Sequence, residues 1–354
     1  MVIAAILGLY ILMQVGFMTN FTHRVNASIG VDLERLAPDA KAAAQGQLRL
    51  ALIQSIAAAG AAFALIYTAR NYQLTRRGQV TDRFTKALER LSSDKQYVRI
   101  GGVLALEQIL HDAPDQSQDA QTVLQNFLLE HTPRAGDEWA ETPEPGESMA
   151  PEVQTALNAL GKASRYAALR VRLEGRSLVS LDFRRLDLMS ADFNRSDLRG
   201  SDMEKAHLWG VNMNSADLRR CDMRGAVFVT ASFRKAQLQY ARTENACFAY
   251  AFMKYARFTD VGDDWATREV DFRHATLTAS RMEGMRFMDC DFRHADLSGA
   301  SLQGAVLSNC QLNKANLSGA NFCGADLSSV KGLKRRQIAS AKTDEETRLP
   351  ADLL

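Results

Sequence analysis

The sequence predicts an α+β protein in which an apolar, helical N-terminal part precedes a solenoid of short stacked repeats. Two apolar runs near the N-terminus predict membrane-spanning helices. From Leu178 to Leu327, a Leu, Phe or Met recurs every fifth residue, with one Thr and one break in phase. An α-helix repeats about every 3.6 residues and a strand every two, so a period of five indicates units that stack on their neighbours.

The apolar runs are residues 2–18, with Gln14 as the strongly polar member, and residues 50–67, which contain Gln54. Each is close to the lower length limit for crossing a bilayer. We expect residues 1–69 to form a transmembrane helical hairpin that contacts membrane lipids. Two alternatives remain: either run could be the core helix of a soluble domain, and the first could be a signal peptide. No Lys or Arg precedes the first run, whereas a signal peptide has a basic start.

Charge sets the expected topology of the hairpin. Basic residues are frequent just after the second run and sparse between the runs; those after it are Arg70, Arg76, Arg77, Arg83, Lys86 and Arg90. Because cytoplasmic flanks are rich in Lys and Arg, residues 68–354 should lie in the cytoplasm, below a bacterial inner (plasma) membrane that the chain crosses twice. Small residues four apart, such as Ala57 and Ala61, would also permit close helix packing and a homo-oligomer.

Residues 70–131 are predicted to form a helical adaptor. Three short amphipathic helices are expected: residues 81–91, a second that begins after Asp94, and a third from about Gln118. None can bury its apolar face alone, so they should pack together as a HEAT-like unit. Prolines and acidic residues predict a linker over residues 132–150, and a docking helix over residues 151–164 should follow.

The repeat has a second regularity. The residue two before each Leu, Phe or Met is usually small, and Asp or Asn often lies between them, as in Ala216-Asp217-Leu218. A narrow interior would accommodate one large and one small side chain per unit, and Asp and Asn favour tight turns. Predicted central residues include Leu198, Leu218, Phe272, Phe292, Leu297 and Leu317.

This unit resembles that of the pentapeptide-repeat family, A-(D/N)-(L/F)-x-x, over residues 176–330. The resemblance implies a right-handed quadrilateral β-helix with four units per coil, and therefore about seven coils over residues 165–330. The sequence agrees, because Asp271-Phe272-Arg273-His274-Ala275 recurs four units further on as Asp291-Phe292-Arg293-His294-Ala295. The predicted adaptor resembles the helical module that precedes many actinobacterial and cyanobacterial pentapeptide-repeat regions.

The five-residue period breaks once, between Phe258 and Phe272, whose separation is not a multiple of five. Residues 259–269 should therefore leave the coil and return. They could form a tolerated surface loop, or a binding protrusion, because functional residues concentrate on loops held by rigid scaffolds. Asp263, Asp264 and Trp265 are the candidate partner-binding residues.

A second candidate is an exposed ladder of Arg273, His274, Arg293 and His294, one coil apart. It could bind phosphate or a carboxylate, or it could simply reflect repeat duplication. The sequence contains no phosphate loop, HExxH or GxSxG motif, so we expect no enzyme activity, cofactor or metal. The five cysteines form no CxxC pair, which favours buried thiols over disulfides or zinc.

Residues 331–354 should cap the last coil, because an open end exposes unpaired strand edges. The basic residues of this segment cluster at its start; they are Lys331, Lys334, Arg335 and Arg336. A solvated helix face is one interpretation of the cluster, and contact with anionic lipid or nucleic acid is the other.

The net charge of +2 selects no class of partner. Some family members imitate DNA and protect topoisomerases, but a DNA mimic is strongly acidic and the repeats here are nearly neutral. We expect a non-catalytic, membrane-anchored scaffold that binds other proteins and no nucleic acid. The alternative is a membrane effector or sensor whose hairpin oligomerises or permeabilises the membrane when the solenoid binds a signal.

Overall fold

The computed structural model describes residues 38–136, 150–163, 170–258 and 266–353. They fall into two compact units, one that ends at Gly78 and one that begins at Gln79. The first predicted membrane run, residues 2–18, lies outside the described residues.

In the part of the chain that the structure describes, four helices precede the repeats: α1 (Pro38–Leu91), α2 (Gln96–Asp112), α3 (Pro114–His131) and α4 (Pro151–Ala163). The prediction of separate helices over residues 50–67 and 81–91 is wrong, because α1 is one helix of 54 residues. The stretch between them has no proline and a single glycine, so no strong stop signal ends the helix there. The third predicted helix also begins earlier than Gln118, at Pro114, since proline is favoured in a first helical turn.

Within the described residues, one helical segment, Arg49–Leu91, is long and apolar enough to cross a membrane. The large apolar side chains of its first part are exposed, among them Ile53 at 58%, Phe63 at 72% and Ile66 at 66%, whereas Phe84 and Leu91 pack against the core. Contiguous apolar surface of this kind is typical of a face that contacts lipid or another protein.

Helices α2, α3 and α4 pack against one another around buried Val103, Leu124 and Leu157. An ion pair also joins α4 to α2. Arg99 Nη2 donates a hydrogen bond to Glu152 Oε1 at 2.5 Å, and the Glu152 side chain is only 3% exposed. Removing either partner of such a shielded pair would leave the other charge without compensation, which is strongly destabilising.

The repeats wind into a quadrilateral β-helix. Each residue in the Asp/Asn position pairs in parallel with its equivalent in the next coil, as Asp182 does with Asp202 and Asp202 with Asp222. Four such ladders form four walls, which we number by their first residues: wall one from Ser177, wall two from Asp182, wall three from Asp187 and wall four from Arg172. Wall two contains a three-stranded parallel sheet of β1 (Ala266–Arg268), β2 (Arg286–Met288) and β3 (Val306–Ser308).

The solenoid has eight coils rather than about seven. The ladder of wall four has eight members: Arg172, Asp192, Asn212, Ser232, Phe252, Thr276, Asp296 and Asn316. The additional coil arises because Leu173, before the first predicted position, and Thr267, inside the predicted loop, both take buried central positions.

Each corner of the coil requires one left-handed residue. In the unit centred on Phe183, the central N–H donates to Asp202 O at 2.7 Å, and the N–H of Leu186 donates back to Phe183 O at 3.1 Å. Arg185, between them, has φ of +58°. This conformation costs a residue with a side chain about 1–2 kcal/mol, so glycine is the least costly occupant of a corner.

The interior is dry and one side chain wide. The six predicted central residues given above are at most 1% exposed. In wall three, the rings of Phe228, Phe248, Phe272 and Phe292 stack with centroid separations of 5.0, 5.5 and 4.9 Å. The five-residue period of large apolar residues therefore arises because each unit contributes one side chain to one of four stacked interior columns.

The interruption is shorter than predicted. Paired residues in the regular coils are 20 positions apart, so the regular partner of Cys247 would be Thr267. Cys247 pairs with Asp271 instead, which makes this coil four residues longer than the others. The chain has rejoined wall two by Ala266, and residues 266–269 belong to the coil rather than to a loop. Because Thr267 is not Leu, Phe or Met, the sequence pattern does not show that the chain has rejoined the coil at this position.

Side-chain amides close the ends of the solenoid. At the first coil, Gln154 Oε1 accepts from Asp182 N at 2.8 Å and Gln154 Nε2 donates to Asp182 O at 2.6 Å, while Gln125 Oε1 accepts from Arg172 N at 3.3 Å. A short antiparallel contact between Arg134 and Arg176 covers wall one. These groups take the hydrogen bonds that a preceding coil would otherwise make.

The last coil is covered by the C-terminal segment, which contains α5 (Arg335–Ile338). Lys342 pairs with Asn321 and Arg348 pairs with Asp326. Gln337 Nε2 donates to the carbonyls of Leu312 and Ala315, both at 2.9 Å. Both ends of the β-helix thus lack a free strand edge on the walls that these residues cover.

Candidate functional site

The predicted binding loop cannot be located, because Asp263, Asp264 and Trp265 lie outside the described residues. Its point of departure is defined, however. The chain leaves wall one after Phe258 and rejoins wall two at Ala266. The loop residues remain a prediction.

The arginines of the predicted ladder are engaged by aspartates. Arg273 Nη2 lies 2.7 Å from Asp271 Oδ2, and Arg293 Nη2 lies 2.6 Å from Asp291 Oδ2. Burial tends to raise the pKa of Asp271, but hydrogen bonds from Arg273 outweigh it and hold that pKa below its ordinary value.

The same fork, an Asp with an Arg two residues later, occurs at six places in the β-helix: Asp182–Arg184, Asp197–Arg199, Asp217–Arg219, Asp222–Arg224, Asp271–Arg273 and Asp291–Arg293. Each fork places opposite charges side by side on the surface. A phosphate or carboxylate would have to displace an aspartate to bind these arginines bidentately.

The histidines of the ladder stack at one corner. His274 and His294 have ring centroids 4.7 Å apart, and Tyr250 stacks on His274 at 4.6 Å with rings almost parallel. Loss of solvation in the stack, followed by the nearby charge of His274, lowers the pKa of His294. The stacked column of Tyr250, His274 and His294 therefore favours the neutral form of the His294 ring.

An aromatic patch lies beside this column. Tyr250, Phe252 and Tyr255, which we call the aromatic patch, are 52%, 52% and 44% exposed and belong to the fifth coil. Phe252 lies on wall four, and the two tyrosines occupy the corners on either side. Lys254 Nζ lies 4.9 Å from the Tyr255 ring centroid. Five residues of extended chain span at most about 18 Å, so the three residues lie within that distance of one another on one coil.

The patch departs from the repeat in ways that the fold does not require. Elsewhere on wall four the position of Phe252 is held by polar residues, namely Arg172, Asp192, Asn212, Ser232, Thr276, Asp296 and Asn316. Tyr250 and Tyr255 have φ of +60° and +63°, and the equivalent corners of other coils hold smaller or polar residues, such as Gly210 and Ser215, in the same conformation. An exposed aromatic ring at these positions adds no packing to the interior of the solenoid.

Sequence reasoning missed the aromatic patch. The signal was available, because aromatic residues stand where the repeat normally has Asp, Asn, Ser or Gly. The five-residue period constrains the central and small positions only, and these are the buried ones.

The cysteine and metal expectations concern the same repeats. All five cysteines are free thiols, and Cys221, Cys290 and Cys310 are buried. Within the described ranges, no group of three or more His, Cys, Asp or Glu side chains is placed to hold a metal ion.

Comparison with known proteins gives one family. The family model of pentapeptide repeats matches in eight copies, over residues 170–204, 191–228, 212–248 and 290–328. No curated protein sequence matches the chain significantly.

Several solved structures are similar to the repeat region. HetL, a pentapeptide repeat protein involved in heterocyst differentiation regulation from the cyanobacterium Nostoc sp. strain PCC 7120, is 26% identical; 51% of this chain and 81% of HetL are covered, with a TM-score of 0.38. For a trypsin-treated form of QnrB1, a plasmid-mediated fluoroquinolone resistance protein, the identity is 17%, the coverage 49% and 89%, and the TM-score 0.36. For Rfr23 from the cyanobacterium Cyanothece 51142 these values are 23%, 40%, 90% and 0.17.

Proposed function

Because the chain belongs to the pentapeptide-repeat family through its residues 170–248 and 290–328, we propose that it is a non-catalytic binding protein whose β-helix presents the aromatic patch to a protein partner. The observation that carries the proposal is the exposure of Tyr250, Phe252 and Tyr255 on one coil. Tyrosine is enriched among the residues that contribute most to protein–protein binding, and aromatic residues as a class are enriched at interfaces.

The surroundings of the patch favour a protein over a nucleic acid. Above and below Phe252 on wall four lie Ser232 and Thr276, which suit the polar rim of an interface. Nucleic-acid binding draws on a field of unpaired Lys and Arg. The six Asp–Arg forks instead pair arginines with carboxylates along the same solenoid.

We also propose that the protein is anchored in a membrane. The apolar segment Arg49–Leu91 supports this. The basic residues that follow the apolar run favour a cytoplasmic position for the β-helix, and the inner membrane of a bacterium is the proposed location. The protein is then a scaffold held at the membrane, and its partner would be recruited there.

The proposal is tested by restoring the repeat pattern at the patch. In the variant Tyr250→Gly/Phe252→Asn/Tyr255→Gly, each residue is replaced by one that the same position holds elsewhere in the solenoid. The two glycines remove left-handed strain, so the melting temperature of the full chain should stay the same or rise. Capture of partner proteins from detergent-solubilised membranes should be lost.

The matched control is Tyr240→Gly, which removes a 39% exposed tyrosine at φ of +62° from a corner between walls one and two. It should leave capture unchanged. A photo-crosslinking residue at position 252, but not at position 240, should form an adduct with the same partner. Retained capture by the triple variant, with a folded chain, would refute the patch as the binding surface.

The loop candidates are tested separately. Replacing residues 259–265 by a short Gly-Ser link should change stability little, since loop closure entropy varies slowly with length. If Asp263, Asp264 and Trp265 contact the partner, capture should fall. Unchanged capture would limit the interface to the walls.

A further inference from the structure

The helical region beside the first coil contains a cavity that the proposed function does not use. Its volume is about 480 Å³, within the range of about 300–1,000 Å³ typical of small-molecule sites. It lies between the end of α1, the turn that follows, and the second half of α3.

The floor of the cavity is apolar. Leu88 and Leu91 of α1 and Val123 and Phe127 of α3 line it. Leu88 is 39% exposed, so part of this apolar surface remains uncovered by the protein. The apolar part of a ligand would be stabilised by covering it.

The charged groups around this floor favour a cation. Asp94 and Glu130 line the cavity, and neither carboxylate has a hydrogen bond or ion pair with any other residue in the described ranges. Arg99, which also lines the cavity, already donates hydrogen bonds to other residues. Its Nη2 donates to Glu152, and its Nη1 donates to the carbonyls of Ser93 and Asp94, both at 3.0 Å. Among the described residues, its Nε hydrogen finds no partner.

Two further features add acceptor character. His131 Nδ1 lies 2.9 Å from Phe127 O. A carbonyl oxygen can only accept, so Nδ1 carries a proton, and in the tautomer with this single proton Nε2 is an acceptor. Helices α1 and α3 both end at the cavity, at Leu91 and His131, and the partial negative charge of helix C-termini favours cations.

We propose that this cavity binds a small organic cation, a primary ammonium group attached to an apolar body. The ammonium has three donors for the acceptors contributed by Asp94, Glu130 and His131. The apolar body would cover Leu88 and Leu91, and the stacked rings of Phe127 and His131, 4.0 Å apart, would lie beside it. The site does not depend on the aromatic patch or on its partner.

The test uses the full chain in detergent and three probes of similar shape: 2-phenylethylammonium, neutral 2-phenylethanol and anionic 3-phenylpropionate. Isothermal titration calorimetry, with detergent alone as the blank, should show binding in the order cation, alcohol, acid. Glu130→Gln should weaken binding of the cation about threefold to fivefold, the size expected for a partly exposed ion pair, and leave the alcohol unchanged. Asp94→Asn/Glu130→Gln should weaken it about tenfold.

Asp119→Asn is the matched control, because Asp119 is an exposed acid of α3 that does not line the cavity. It should leave binding of the cation unchanged. Equal affinity for the cation and the alcohol would overturn the proposal, and so would an unchanged affinity for the cation in the double variant. Because every substitution is near-isosteric and at an exposed acid, loss of folding does not confuse the result.

Discussion

The amide of Gln154 takes the place of a missing strand, and its removal is a direct test of how the solenoid is closed. In Gln154→Met the side chain keeps its length and apolar part but loses both polar groups. The backbone N–H and C=O of Asp182 then lose their partners at 2.8 and 2.6 Å. The rest of α4 still packs through Leu157 and the ion pair of Glu152 with Arg99.

The magnitude follows from the two hydrogen bonds. Each contributes about 1 kcal/mol net, and a partly buried backbone group left without a partner adds to the loss, so the change should destabilise the first coil by about 2–3 kcal/mol. In a unit of this size 1 kcal/mol shifts the melting temperature by about 2–4 °C, so a decrease of roughly 5 °C is expected if unfolding is cooperative. Solenoids can also unfold from one end, which makes a local measurement more decisive.

Hydrogen–deuterium exchange of the full chain provides that measurement. Peptides covering residues 178–190 should exchange faster in Gln154→Met, while peptides from the eighth coil should not change. Gln118→Met, at an exposed glutamine of α3, is the matched control. Unchanged protection of the Asp182 segment in Gln154→Met would refute the argument that the side-chain amide closes the edge.

Three further predictions concern the core, pH and topology. Phe292→Asp places a charge where the wild-type side chain is fully buried, so it should cost several kcal/mol and abolish exchange protection in the neighbouring coils; an unchanged melting temperature would contradict a dry interior. Burial tends to raise the pKa of Glu152, but hydrogen bonds from Arg99, Gln96 and the backbone, with the charge of Arg99, together outweigh it and hold the pKa below the ordinary 4.5. The stabilisation is therefore present above pH 4.5 and is lost as the pH falls through the lowered value. The stability difference between wild type and Glu152→Gln should therefore shrink below pH 4.5, and a constant difference would rule this out. In intact cells an impermeant thiol reagent should label Ser28→Cys but not Ser117→Cys, and the opposite result would place the β-helix outside the cytoplasm.

The coil could be predicted because its interior admits little variation. A space one side chain wide needs a large residue at every fifth position, so the pattern of Leu198, Leu218 and Phe272 is imposed by the fold itself. The stacking of His274 on His294 follows from the same register, since the segment that contains His274 is repeated one full coil later around His294.

Other features depend on information that a period does not contain. Helix α1 is continuous because no strong stop signal lies between its apolar run and Thr81. The boundary predicted there rests on no such signal. The end of the interruption is hidden because Thr267 holds a central position without being Leu, Phe or Met. The aromatic patch lies on outward-facing positions, where packing of the interior does not constrain the residue.

The closed ends of the solenoid make its length an adjustable quantity. The groups that cover the first coil, such as Gln154, and those that cover the last, such as Gln337, are separated by coils that contact only their neighbours. A whole coil could be deleted or duplicated between them without touching either terminus of the stack. Each such step would change the distance between the helical bundle and a surface on the far coils by about 4.8 Å and leave every wall facing the same way. The number of repeats would therefore set the distance between the two ends of the stack.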